Sequence, residues 1–218
     1  MILEKMVEEI ERGVQDDSFT LDENILPLIN EALGEAAFWF CHEELNQRAE
    51  ITALADPSVS MPADFHHNLY RVVNLSFNRP VSIRTNIDVL EDLYEGITTR
   101  GVIEDVAVVG TELFFKPGLI SATTPQDLKL FYYKKPDELI EGDMALAPGW
   151  LPEQFHRGMV VNYVLKELFA LIEDGIEGQK VNTEYYQGEY AKAFTKLRYH
   201  TRHNSKERPK IRRTARFF

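Results

Sequence analysis

Apolar positions near the start of the chain recur at three- and four-residue intervals. In "LDENILPLINEALGEAAFWFCHEELNQRAEI" (21–51), Ile25, Leu28, Ile29, Ala32, Leu33, Ala36 and Phe40 fall on one stripe, which predicts a long amphipathic helix. Thr20 or Asp22 can cap it, and Pro27 lies close enough to the start to be tolerated or else marks a kink. A shorter helix over about 2–12 precedes it, with Gly13 as its expected stop. "ADPSVSMPAD" (55–64) then interrupts the pattern with two prolines and small polar residues. Beyond it the texture turns to short runs rich in Val, Ile, Phe, Tyr and Thr: 69–77, 81–85, 102–110, 111–117 and 127–135. Gly110-Thr111 between two of these runs predicts a hairpin, and "IDVLEDLYEG" (87–96) reads as one short helix among the strands. Helical spacing returns at 152–174, with Phe155, Met159, Val160, Tyr163, Val164, Leu168 and Ile172 on one face, until Gly175 and Gly178. A last helix is expected over about 183–203, with Tyr186, Tyr190, Ala193, Phe194 and Leu197 inward.

Helices, a β-rich middle and then helices predict an α+β fold, a helical bundle with an inserted β-rich subdomain and an extended C-terminal arm. The expected boundaries are 1–58 and 150–203 for the bundle, 59–149 for the insertion and 204–218 for the arm. Composition agrees with a folded chain: 44 % of the 218 residues are hydrophobic, enough to build a real core. A single cysteine, Cys41, rules out an intrachain disulfide and fits a reducing compartment. No apolar run approaches the roughly 20 residues that span a bilayer. The opening "MILEKMVEEIERG" carries acids where a signal peptide carries bases, so a soluble chain kept inside the cell is expected.

Charge changes the picture more. The formal net charge is -11, yet residues 196–218 hold nine Lys or Arg against one acid, Glu207. That is +8 at the end of the chain and -19 over residues 1–195. A like-charged block repels itself and serves as an interaction tail, and the acidic body argues against wrapping nucleic acid. "KERPKIRRTARFF" (206–218) ends in two phenylalanines, which a pure phosphate grip does not need.

Candidate chemistry is sparse. Adjacent His66 and His67 face opposite ways if on a strand and sit about 100° apart if on a helix, and in neither case are they expected to chelate well. His200 and His203 are spaced i, i+3, but a run of Arg and Lys around them repels a cation and no third ligand is near in sequence, so no metal is expected. Cys41, on the apolar end of a helix, is expected to be a buried small hydrophobe. Nucleotide-binding, nucleophile-elbow and zinc-protease motifs are absent from the sequence, and no cofactor is expected. Paired aromatics in "LFYYKK" put one ring toward a core and leave the other, Tyr132 or Tyr133, for burial or for a neighbouring protein.

The order "ILPLINEALGEAA", "SMPADFHHNLYRVVNL", "LKLFYYKKPDEL", "PGWLPEQFHRGMVVNYVLKELFAL" and "YYQGEYAKAFTKLR" resembles the head-to-tail connector (adaptor, head-completion) proteins of tailed bacteriophages, especially short-tailed ones. The likeness covers most of residues 20–200 and is carried by loose, mostly structural motifs. It implies a non-enzymatic virion protein of the neck, assembled in the host cytoplasm. Such proteins form a ring, usually of twelve copies, that joins the capsid portal to tail or tail-fibre (nozzle) components. Genomic double-stranded DNA passes through the bore without sequence-specific binding. The resemblance also implies that the C-terminal segment docks on the portal, which here carries over to Arg208, Lys210, Ile211, Arg212, Arg213, Arg216, Phe217 and Phe218. Residues 201–218 fully extended would reach about 60 Å. Two other readings stand beside it: a nucleic-acid-binding module that grips DNA or RNA with the basic arm, and an enzyme using His66 or His67.

Overall fold

The structure, a computed structural model, describes residues 1–16, 18–53, 58–93, 95, 101–115, 125–174 and 180–204. It is mixed α and β, and the chain divides into two compact units: Met1–Glu43 together with the chain from Glu138 onward, and Glu44–Asp137 between them. The sequence places the strand-rich segment at 59–149; the unit that folds together begins and ends earlier.

In the helical unit, α1 (Leu3–Val14) buries Leu3, Met6, Val7 and Ile10, the i, i+3, i+4, i+7 set of an amphipathic helix. Gly13 does not stop it. The helix runs on to Val14 and closes on Gln15, whose left-handed backbone (φ 55°) lets its N–H donate to the Glu11 carbonyl. Gly13 serves packing instead, since a Cβ there would lie 2.8 Å from Leu165 Cδ2.

The next helix opens with a π turn, Leu21–Ile25, and continues as α2 (Leu26–Trp39). Thr20 caps it: its Oγ1 accepts from the Glu23 N–H, while its own N–H donates to Asn24 Oδ1. Pro27, without an N–H and with a ring that crowds the carbonyl four residues back, follows directly on the widened turn. Ile25, Ile29, Ala32, Leu33 and Ala36 are buried, as the stripe predicts, but the helix ends at Trp39. Phe40 is extended, and Asn46–Ala53 is strand β1 rather than more helix.

A third helical stretch joins α4 (Glu153–His156), a π turn (Arg157–Val161) and α5 (Asn162–Ile172). The extra residue in the π turn shifts the buried stripe by one position. Val161 and Leu165 are therefore buried beside the expected Val160 and Val164, while Ile172 is half-buried. The last helix, α6 (Val181–Asn204), starts where the Glu173 carboxylate accepts from the N–H groups of Asn182 and Thr183 and from the Thr183 hydroxyl. Those bonds hold the Glu173 carboxyl below its ordinary range. One apolar core joins α1, α2, α5 and α6 through residues such as Ile10, Leu33, Val164 and Leu197.

The second unit is a seven-stranded sheet in the order β1-β7-β3-β4-β5-β6-β2. Its strands are β1 (Asn46–Ala53), β2 (Ser58–Ser60), β3 (Phe65–Asn74), β4 (Arg79–Arg84), β5 (Asp105–Val109), β6 (Glu112–Phe114) and β7 (Gln126–Lys134). Helix α3 (Ile87–Leu93) packs on β4 and β5. β4 and β5 run parallel and the other neighbours antiparallel. The first half of β4 pairs with β3 and its second half with β5, so the sheet turns a corner there. β1 and β2 occupy the two ends of the order yet are consecutive in sequence, which draws the ends together into a nearly closed sheet. The expected hairpin forms, with Val109 paired to Glu112 around Gly110 at φ +60°, a conformation that suits glycine. Leu69, Val72, Val106, Leu113, Leu128 and Leu130 fill the interior.

Candidate interaction surface

The portal-docking residues read from the sequence, Arg208, Lys210, Ile211, Arg212, Arg213, Arg216, Phe217 and Phe218, lie outside the described residues, as do Gly175 and Gly178. His200 packs its ring against Phe155, centroids 5.3 Å apart. Among the described residues no group of three or more His, Cys, Asp or Glu stands where it could hold a metal ion. No described helix is long and apolar enough to cross a membrane.

Two expectations about side-chain placement fail for the same reason, a local departure from regular geometry. His66 and His67 do not point apart. The β3–β7 register shifts on both sides of His67, and Asn68 adopts a left-handed backbone (φ 52°). The two rings consequently meet, Nδ1 to Nδ1 at 3.3 Å, and His67 stacks on Tyr133 (5.4 Å, 20°). Burial, helped by the Lys135 charge, holds His66 below the usual histidine range. Cys41 is exposed, not buried. Because the chain leaves α2 at Phe40 in an extended form, successive side chains alternate, and His42 takes the interior place against the edge of Trp150 (4.8 Å).

The sheet also resolves which of the paired tyrosines faces inward. Tyr132 is buried, and its hydroxyl donates to Asp64 at 2.5 Å. Burial, then that carboxylate, pushes the phenol well above its ordinary range. Tyr133 and Phe131 lie on the opposite face. There the register sets Arg48 of β1, Phe131 of β7 and Arg71 of β3 side by side. The guanidinium carbons of Arg48 and Arg71 sit 5.4 and 5.0 Å from the Phe131 ring centroid. Tyr70 adds its ring at 6.3 Å from Phe131 and 5.6 Å from Tyr133. Arg48 and Arg71 were not singled out by the sequence, because strands distant in the chain bring them together.

The helical unit contains a buried histidine whose titration is testable. His156 Nε2 donates to the Leu151 carbonyl at 2.7 Å, so the ring is held in one tautomer. Burial lowers its pKa from the ordinary 6.5, against the opposing pull of that hydrogen bond and of Glu153. The unfolded chain thus takes up a proton that the folded chain refuses. Stability is full above about pH 6.5 and declines as pH falls below it. Urea midpoints measured between pH 7.5 and 5.5 should fall, and His156→Gln should flatten the slope; an unchanged slope would count against this assignment.

No protein-family model matches the chain, and no curated protein sequence matches it.

Proposed function

We propose that the chain is a structural virion protein whose copies form a ring between a capsid portal and a tail, with genomic DNA passing through the bore. In this reading the helical unit is a bundle, Glu44–Asp137 is the subdomain inserted in it, and the residues after the last helix are an extended arm that docks on the portal. Binding energy comes from Arg208, Lys210, Ile211, Arg212, Arg213 and Arg216 against partner carboxylates, with Phe217 and Phe218 as buried anchors. No catalytic step is assigned to the chain. The reading is supported by the likeness in the sequence and by the +8 end on a body of -19. The observation that carries it furthest is the interruption of one helical unit by one strand-rich unit, in the order that the likeness implies.

The test is deletion of 206–218. Co-sedimentation with the cognate portal protein is expected to be lost, while the thermal transition stays unchanged. Phe217→Ala with Phe218→Ala is expected to cripple the same binding. Normal assembly by the shortened chain would sink the docking role. Binding of duplex DNA that weakens steeply with salt and ignores the two phenylalanines would instead favour a nucleic-acid grip.

A further inference from the structure

The geometry points to a head-to-tail contact between copies of this chain, in which the Arg48–Phe131–Arg71 face of one copy receives helix α3 of the next. It rests on the ring reading only for closure of the assembly.

The receiving face is unusual for this molecule. In a chain of net charge -11, both guanidinium groups are exposed and neither takes part in an ion pair among the described residues. Cations of β7, the strand between them, do find acids: Lys129 pairs with Glu50 at 2.8 Å and Lys134 with Asp137 at 3.2 Å. Arg48 and Arg71 rest on one phenyl ring, which restrains them and leaves N–H groups for an arriving carboxylate. Tyr70, 43 % exposed, extends the face with apolar area.

α3 has the complementary character. Leu90 alone among its residues is buried, at 2 % exposure, where the helix packs on β4 and β5. Outward it presents Asp88, Glu91 and Asp92, none of them in an ion pair among the described residues, together with Val89 (38 % exposed) and Leu93 (46 %). Acids mixed with exposed apolar side chains match arginines mixed with exposed aromatics. The exposed acids of α1, such as Glu4, Glu8 and Glu11, lack that apolar partner set. Donor and receiver occupy different strands of one sheet, β4–β5 against β1–β7–β3, so one copy can use both at once. A contact between two different patches is heterologous, and it closes a ring when the rotation allows.

Single-stranded nucleic acid is the competing occupant. Base stacking needs open aromatic faces, whereas Phe131 carries two guanidinium groups and Tyr133 is stacked on His67. The face offers cation edges rather than bare rings, which suits carboxylates.

The experiment is sedimentation of the full-length protein over a concentration series, with two variants. One is Arg48→Ser with Arg71→Ser; the other is Asp88→Ser, Glu91→Ser and Asp92→Ser. Wild type is expected to self-associate, about tenfold more weakly in 1 M salt than in 0.1 M because screening shortens the reach of the charges. Each variant alone stays monomeric with a normal thermal transition. Their equimolar mixture forms a 1:1 dimer and grows no further, because each variant keeps the half that the other lost. A mixture that stays monomeric while wild type associates overturns the proposal, and so does wild type that stays monomeric throughout. A labelled single-stranded oligonucleotide that wild type binds and the arginine variant does not, with self-association unaltered, overturns it in favour of nucleic acid. Portal binding by wild type measured in parallel separates the two proposals: its absence from a wild type that self-associates counts against the portal reading alone.

Discussion

Replacing Gly158 by alanine is expected to destabilise the helical unit by about 1–3 kcal/mol net, lowering its thermal midpoint by roughly 4–10 °C. Gly158 lies in the π turn between α4 and α5, facing α6. A Cβ added there would stand 2.4 Å from the Ala193 Cβ, and both atoms are fixed to backbone, so no rotamer change relieves the overlap. α6 must move away from the α5 side of the core, which opens the packing around Leu197. The opposing gain is the better helix propensity of alanine, about 1 kcal/mol, too small to cancel the clash. Gly188 in α6 is the control: a Cβ there meets nothing within 4 Å. Gly188→Ala should therefore raise the midpoint by a few degrees, since only the propensity gain remains. Calorimetry on the two variants decides the matter. A neutral or stabilising Gly158→Ala would mean that the helices do not approach as closely as described.

The second large effect is expected at Gln126. Its side chain sits at 3 % exposure inside the nearly closed sheet, beside fully buried Asn74. Gln126 Oε1 accepts from Asn74 Nδ2 at 2.7 Å and from the Ile103 N–H at 2.9 Å, and its Nε2 donates to the Gly101 carbonyl at 2.9 Å. One amide thus satisfies the backbone that leads into β5 and ties it to β3 and β7. Gln126→Ala strands the buried Ile103 N–H and leaves Nδ2 of the fully buried Asn74 only its longer bond to the Ile103 carbonyl (3.4 Å), at a cost of about 2–4 kcal/mol. Urea unfolding should show the loss, and hydrogen exchange at the Ile103 amide should accelerate well beyond that of Leu130 in the neighbouring core. Equal acceleration at both amides would point to global unfolding rather than to a local clamp. Asn74→Ala should be costly as well, and the double variant less than additive, because the two amides share one bond.

Much of the architecture is written in local pattern. The stripes of α1, α2, α5 and α6 follow from three- and four-residue spacing, and the β5–β6 hairpin from a glycine between a valine-rich run and an aromatic one. Where the reading departs from the structure, a distant partner decided. "NQRAEITA" has five of its eight residues (Gln47, Arg48, Ala49, Glu50, Ala53) among good helix formers, yet it pairs along its whole length with β7, from Asn46 against Tyr133 to Ala53 against Gln126. Pairing buries Ala53 completely and half-buries Ala49 and Ile51, a gain that no local propensity reports. The π turns are likewise invisible to a fixed period, although Pro27 and Gly158 mark where they fall.

The interaction surface divides along the same line. From residues alone come the acidic body, the cationic end with its two phenylalanines, and the prospect that one tyrosine of the 132–133 pair faces outward. These are properties of composition and of strand alternation, which need only neighbours in the chain. Tertiary structure decided that Arg48 and Arg71 share one phenyl ring, that His66 meets His67, and that His42 rather than Cys41 goes inside. Each of these depends on which strand lies beside which, or on where a helix stops. That is set by closing the sheet and burying its interior, not by any run of residues taken by itself.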